Sequence, residues 1–255
     1  MAHPGLGYDN RTGRGPGRVV RTMSALVPGV RRVWRQATPY ADAWHARNVE
    51  TIDRPGRRWI VLGDSMSQGI GASAYDLGWV VQLAGRLAAD GHDLQIINLS
   101  ATGACVTDVL EQQLPALERL GVRDDDLVTV MVGSNDLFGG RRRRAALPGA
   151  YSRLVESVPA GSLVATLPQP SGPARAANVF VEAADASGRI VMVDLRVTGP
   201  SSWRGRLAAD YFHPNDAGYA AIAAAFEPTL RQVLAAPSRS REPPRGGDIS
   251  PPPDG

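Results

Sequence analysis

Five short apolar runs, at 59–62, 94–99, 127–132, 163–167 and 190–195, alternate with longer stretches of helical spacing at about 77–89, 106–120, 148–158 and 174–186. Each run is nearly continuous in apolar residues, as in parallel strands covered by helices on both faces. A last helical period, about 216–235, closes the series. Strands and helices in strict alternation predict an α/β domain with a parallel sheet. Ahead of the first run, Tyr40, Ala43, Trp44, Ala46 and Arg47 fall at helix-like intervals within 39–53, which predicts a short helix laid on the core. There is no internal repeat, and the spacing leaves no room for a second domain.

The two ends break this pattern. Residues 1–18 are rich in Gly, Arg and Pro, and 237–255 in Pro, Arg and Ser, with few large apolar side chains. Such segments cannot bury enough surface to offset their ordering. The expected organisation is a largely disordered basic leader over 1–38, a domain over 39–236, and a disordered tail over 237–255. Charge follows the same division: the formal +3 is the sum of +7 over 1–58, −4 over 59–236 and zero beyond. A basic leader could hold an anionic partner electrostatically, but no nucleic-acid motif accompanies it, and a solvated tail is the ordinary reading.

All 28 basic residues are arginine, which excludes Schiff-base chemistry, a Walker-A phosphate loop and a Ser-x-x-Lys nucleophile. One cysteine, Cys105, excludes an intrachain disulfide framework and any Cys-rich metal site. No stretch reaches the roughly 18 apolar residues of a transmembrane helix, and 19–33 is too interrupted for a signal peptide. A cytoplasmic location is expected, with export left open. The oligomeric state is not legible.

In doubly wound sheets ligands bind beyond the carboxyl ends of the strands. The residues there are Gly63-Asp64-Ser65-Met66-Ser67-Gln68-Gly69, then Asn98-Leu99-Ser100-Ala101-Thr102-Gly103, then Gly133-Ser134-Asn135-Asp136-Leu137. After the fifth run and a loop comes Asp210-Tyr211-Phe212-His213-Pro214-Asn215. In order and spacing these blocks resemble the SGNH, or GDSL, hydrolase family over 59–235. The resemblance implies a flavodoxin-like three-layer α/β/α sandwich with a five-stranded parallel sheet of order 2-1-3-4-5. It also implies ester hydrolysis through an acyl-enzyme, with Ser65, Asp210 and His213 as triad and Ser65, Gly103 and Asn135 as oxyanion hole, and no metal or organic cofactor.

The residue chemistry points the same way. A serine hydroxyl needs a base, and His213 is the only histidine at a predicted strand-end site. Asp210, three residues upstream, can accept the imidazole Nδ1–H and stabilise the imidazolium. Pro214 restricts His213, and Asn215 suits the N-cap of the last helix. Gly103 lets a backbone N–H approach an oxyanion without a Cβ in the way, and the Asn135 amide and Ser65 N–H add donors. The loop 196–209 has the task of carrying the Asp–His pair back across the sheet.

Ordinary structural uses exist for each residue. Ser65 could cap a helix, Asn135-Asp136 could be a turn, and Asp210 could cap a turn while His213 acts alone. Asp64 reads as a buried hydrogen-bonding group and Cys105 as a small buried side chain. His3, His45 and His92 join no metal-binding pattern. Gly-x-Ser-x-Gly of the α/β-hydrolase elbow is not met, because Ser67 stands at its fifth position. Arg141, Arg142, Arg143 and Arg144 are either a solvated helix start or an attractor for an anionic ester substrate. The expected activity is cleavage of short- to medium-chain acyl or acetyl esters of a small molecule or glycan. The alternatives are an O-acyltransferase using the same triad and a non-catalytic acyl- or carbohydrate-binding module.

Overall fold

The computed structural model describes residues 7–15, 22 and 25–236. The 237–255 tail and His3 lie outside them. Strands β1 (Arg58–Gly63), β2 (Gln95–Asn98), β3 (Leu127–Met131), β4 (Leu163–Ala165) and β5 (Val191–Val193) form one sheet of order β2-β1-β3-β4-β5. Every pairing is parallel. Alternate side chains leave opposite faces of each strand, and the chain supplies apolar residues for both.

On one face Ile60, Leu62, Val128 and Val130 meet three helices. These are α5 (a continuous run of Val106–Asp108, Val109–Gln113 and Leu114–Leu120), α7 (Arg141–Ser157) and α8 (Gly172–Ala186). On the other face Trp59, Val61, Leu127 and Met131 meet α4 (Trp79–Ala89) and α10 (Asp216–Ala235). Trp79 stacks on Phe226 at 4.3 Å between ring centres, joining α4 to α10. The result is the three-layer α/β/α sandwich expected of the family. Among the described residues no helix is long and apolar enough to cross a membrane.

Before the sheet come α1 (Pro28–Trp34) and α2 (Ala37–Thr51). Strand β2 is an edge strand, and α2 closes that edge with Asn48. Its Oδ1 accepts the Asn98 N–H at 2.8 Å and its Nδ2 donates to the Asn98 carbonyl at 2.7 Å, as a neighbouring strand would.

Two expectations need correction. The leader is not loose throughout: 7–15 lies on the domain with Tyr8 and Asn10 buried, and α1 and the start of α2 occupy 28–38. Its polar side chains find partners in the core, which composition cannot reveal. Helix α7 begins at Arg141 rather than at Pro148. A proline inside a helix deprives the carbonyl four residues earlier of its donor; here that residue is exposed Arg144, so water can take its place. The same holds in α10, where Pro228 follows exposed Ala224.

Candidate active site

Strand β1 ends at Gly63, and the side chain of Gln113 takes up both of its backbone groups, accepting the N–H and donating to the carbonyl, each at 2.8 Å. Gln113 reaches it from the π-helical turn Val109–Gln113 inside α5, where the wider turn re-aims a side chain. Asp64 then accepts the Met66 N–H at 3.0 Å and so caps α3 (Ser65–Gln68), a single turn that begins at Ser65. Burial pushes Asp64 up to about 7, against the opposing effects of the Met66 N–H and of His213. It is the buried hydrogen-bonding group expected.

Beyond β5 the chain makes one turn, α9 (Leu195–Thr198), then reverses so that Leu207 pairs antiparallel with Pro214. The reversal presents Asp210 and His213. Tyr211 sits in the left-handed region at φ 56° and is 83% exposed. Asp210 Oδ1 accepts the N–H groups of Phe212 at 3.1 Å and His213 at 3.0 Å, and Oδ2 lies 2.6 Å from His213 Nδ1. Burial opposes ionisation of Asp210, but these partners outweigh it and hold the carboxyl below the usual range. His213 Nε2 lies 3.0 Å from Ser65 Oγ. Asn215 caps α10 through the Gly218 N–H at 3.0 Å.

Gly103 and Asn135 arrive from the neighbouring strands. Ala101 N–H bonds to Gly63 O at 3.2 Å, which ties the chain after β2 to the end of β1. Asn135, in α6 (Ser134–Leu137), donates one amide N–H to Ala104 O at 2.9 Å, leaving its second N–H for another acceptor. Gly103 itself stands at φ 80°, and a Cβ there would meet nothing within 4 Å. Glycine is the residue that takes this left-handed backbone without strain. Burial raises Asp136 to about 6 although it accepts the Val106 N–H, and raises the buried Cys105 thiol to about 11. The thiol is therefore neutral, as its structural reading requires.

Beside this cluster lies a cavity of about 420 Å³, lined by Met131, Ala165, Leu167, Leu195, Ile222 and Ala225 among others. Ser65, Asn135 and His213 do not themselves line it, but their chain neighbours Met66, Ser134, Phe212 and Pro214 do. Phe138, Trp203 and Tyr211 add exposed aromatic side chains to the lining. The four arginines of the run open α7, and all are exposed. They begin that helix, and none of them is among the residues that line the cavity. Among the described residues no three His, Cys, Asp or Glu side chains are grouped to hold a metal.

Sequence reasoning missed several groups that support these residues. Gln113 is one. Gly71 is another: at φ 101°, its missing Cβ would lie 2.8 Å from His213 Cβ and 2.4 Å from Pro214 O. Asn10, Arg14 and Asp108 are also partners of this region. A polar residue at an otherwise apolar helix position, such as Gln113, was the one signal available.

The profile of the GDSL-like lipase/acylhydrolase family matches residues 61–221. The chain is 29% identical to esterase TesA of Pseudomonas aeruginosa over 181 residues, 69% of this chain and 88% of that one. A crystal structure of TesA superposes with a TM-score of 0.55 at 26% identity, over 70% of this chain and all of the other. A Clostridium thermocellum family 3 carbohydrate esterase, 18% identical, shares the fold with a TM-score of 0.57 over 71% of this chain and all of its own. A strand order, four sequence blocks and a profile covering most of the domain agree, and the chain belongs to the GDSL-like lipase/acylhydrolase family as a carboxylic ester hydrolase.

Proposed function

We propose that Ser65, His213 and Asp210 act as the triad of an esterase for short- to medium-chain acyl or acetyl esters. The observation that carries this is His213 placed between its two partners, 3.0 Å from Ser65 Oγ and 2.6 Å from Asp210. With Nδ1–H directed at the carboxylate, Nε2 is free to take the hydroxyl proton as Ser65 Oγ bonds to the acyl carbon. The carbonyl oxygen becomes an oxyanion, facing the Ser65 and Gly103 N–H groups and the free amide N–H of Asn135. His213 gives its proton to the leaving alkoxide, and the acyl–alkoxy bond breaks. Water then repeats the sequence on the acyl-enzyme, releasing the acid and restoring Ser65.

The cavity beside Ser65 suits the acyl group, since its volume of about 420 Å³ lies within the roughly 300–1,000 Å³ of small-molecule sites. The four exposed arginines opening α7 follow Phe138 of the cavity lining within six residues and have no ion pair of their own among the described residues, and their positive field favours esters with an anionic group. Replacing all four by Gln is expected to raise KM for anionic esters and leave neutral ones unchanged; equal effects on both would remove this role.

The test of the main reading is hydrolysis of p-nitrophenyl esters from acetyl to palmitoyl by wild type and Ser65→Ala. Turnover that needs Ser65 and peaks at short or medium chains is expected. Turnover that survives Ser65→Ala would overturn the triad, and a peak at palmitoyl would overturn the chain-length assignment.

A further inference from the structure

The segment 7–15 lies outside the 61–221 family match, yet it reaches the loop that carries Gly103. Beyond Ala101 that loop has no strand partner; a backbone bond from the Ala104 N–H to Ala101 O at 3.1 Å closes its turn, and side chains fix the turn against the domain. On its amino-terminal side the Thr102 N–H is held by Gln68 Oε1 at 2.9 Å. The other end of the same carboxamide, Gln68 Nε2, donates to Asn10 O at 3.1 Å. On its carboxyl-terminal side the Cys105 N–H is held by Asp108 Oδ2 at 2.7 Å. Arg14 clamps that carboxylate, Nη1 to Oδ1 and Nη2 to Oδ2, both at 2.5 Å, and Nη2 also lies 3.4 Å from Gly103 O. Both brackets of the Gly103 peptide thus end on one strap.

The strap is itself anchored. Asn10 is buried and adopts a left-handed φ of 61°, uncommon for a residue with a side chain. Its amide donates to Asn98 O at 2.6 Å and Ser100 O at 3.0 Å, and its Oδ1 accepts from Asn48 at 3.2 Å. Arg14 has a second, electrostatic effect. The Asp108 side chain is only 5% exposed, and an uncompensated carboxylate beside an oxyanion hole would oppose the charge that forms there. A guanidinium bridging both oxygens cancels that charge and sets the plane of the carboxylate.

We infer that Arg14 is a positioning residue for ester hydrolysis, holding the Gly103 N–H in line with the oxyanion through Asp108, with Asn10 as the anchor of the strap. This rests on the assignment of Gly103 and Asn135 to the oxyanion hole. Misplacement of a catalytic donor by about 1 Å can cost about 100-fold in rate. Arg14→Ala is therefore expected to lower kcat about 10- to 100-fold with KM within about 3-fold of wild type. The affinity of an alkyl trifluoromethyl ketone, whose adduct carries an oxyanion, should fall in step with kcat/KM, and added ethylguanidinium should restore part of kcat. Arg14→Lys keeps the charge but not the two-point bridge, and is expected to lose about 3- to 10-fold in kcat while unfolding as wild type does. It decides the matter if Arg14→Ala does not fold.

Asn135→Ala, measured alongside, separates the two assignments. If Asn135→Ala lowers kcat and ketone affinity while the folded Arg14 variants keep both, the strap has no positioning role. If Asn135→Ala changes neither, the oxyanion-hole assignment falls and the inference with it.

Discussion

Asp210 holds His213 by its ring and by its backbone. One carboxylate oxygen lies 2.6 Å from Nδ1, and the other accepts the His213 N–H at 3.0 Å. The side chain that would fix the tautomer of His213 therefore also shapes the turn on which His213 stands. Tyr211, in the left-handed region, is the residue that lets the chain fold back tightly enough for both contacts.

These two tasks can be separated. In Asp210→Asn the amide oxygen still accepts the backbone N–H groups, but the amide nitrogen cannot accept Nδ1–H, so the ring is driven toward the wrong tautomer. A fall in kcat of about 10³- to 10⁴-fold is expected, with thermal stability changed much less. A kcat within 10-fold of wild type would show that His213 works without a carboxylate.

Gly71→Ala acts on His213 from behind. Its new Cβ would fall 2.8 Å from His213 Cβ and 2.4 Å from Pro214 O, at φ 101°. Backbone must move, and His213 with it. The expected loss in kcat is at least about 100-fold. Gly91→Ala is the control, because Gly91 also has a positive φ of 87° and nothing within 4 Å; it should cost stability and leave kcat intact.

Asp64 makes stability depend on pH in a particular direction. Its carboxyl is raised to about 7 in the folded chain, against about 3.9 when unfolded. Between these values the folded state binds the proton more tightly, so its contribution is complete below about pH 4 and lost as pH rises through about 7. Asp64→Asn can still cap α3 and titrates in neither state. Its urea midpoint relative to wild type should rise from pH 4 to pH 8; a constant difference would show that Asp64 does not titrate in that window.

Ala225 lines the cavity from α10 and is buried. Ala225→Leu places extra carbon in open space and should move the optimum of the ester series to shorter chains, leaving kcat/KM for acetyl within about 3-fold of wild type. An unchanged chain-length profile would place the acyl group elsewhere.

The legible part of the site was the part written locally. Ser65, Gly103, Asn135 and His213 each follow an apolar run directly or close a compact block, and the Asp210–His213 contact spans three residues. Gln113, Gly71, Asn10 and Arg14 could not be read in this way. Their partners Gly63, His213, Asn98 and Asp108 lie 50 to 142 positions off, and no periodicity marks such pairs. The leader misled because a Gly- and Arg-rich composition measures average apolar surface, whereas this segment is held by one buried tyrosine, by hydrogen bonds and by ion pairs from Arg11 and Arg14.

By itself the sequence determined the alternation of strand and helix, the absence of lysine chemistry and the residue types available at the strand ends, since these depend on side-chain period and identity. Tertiary structure decided that Ser65 and His213, 148 residues apart, meet at 3.0 Å, that a cavity opens beside them, and that an arginine from the leader clamps the Gly103 loop. Contacts of that kind are set by how layers pack and how side chains of distant segments satisfy one another, and no local pattern encodes them.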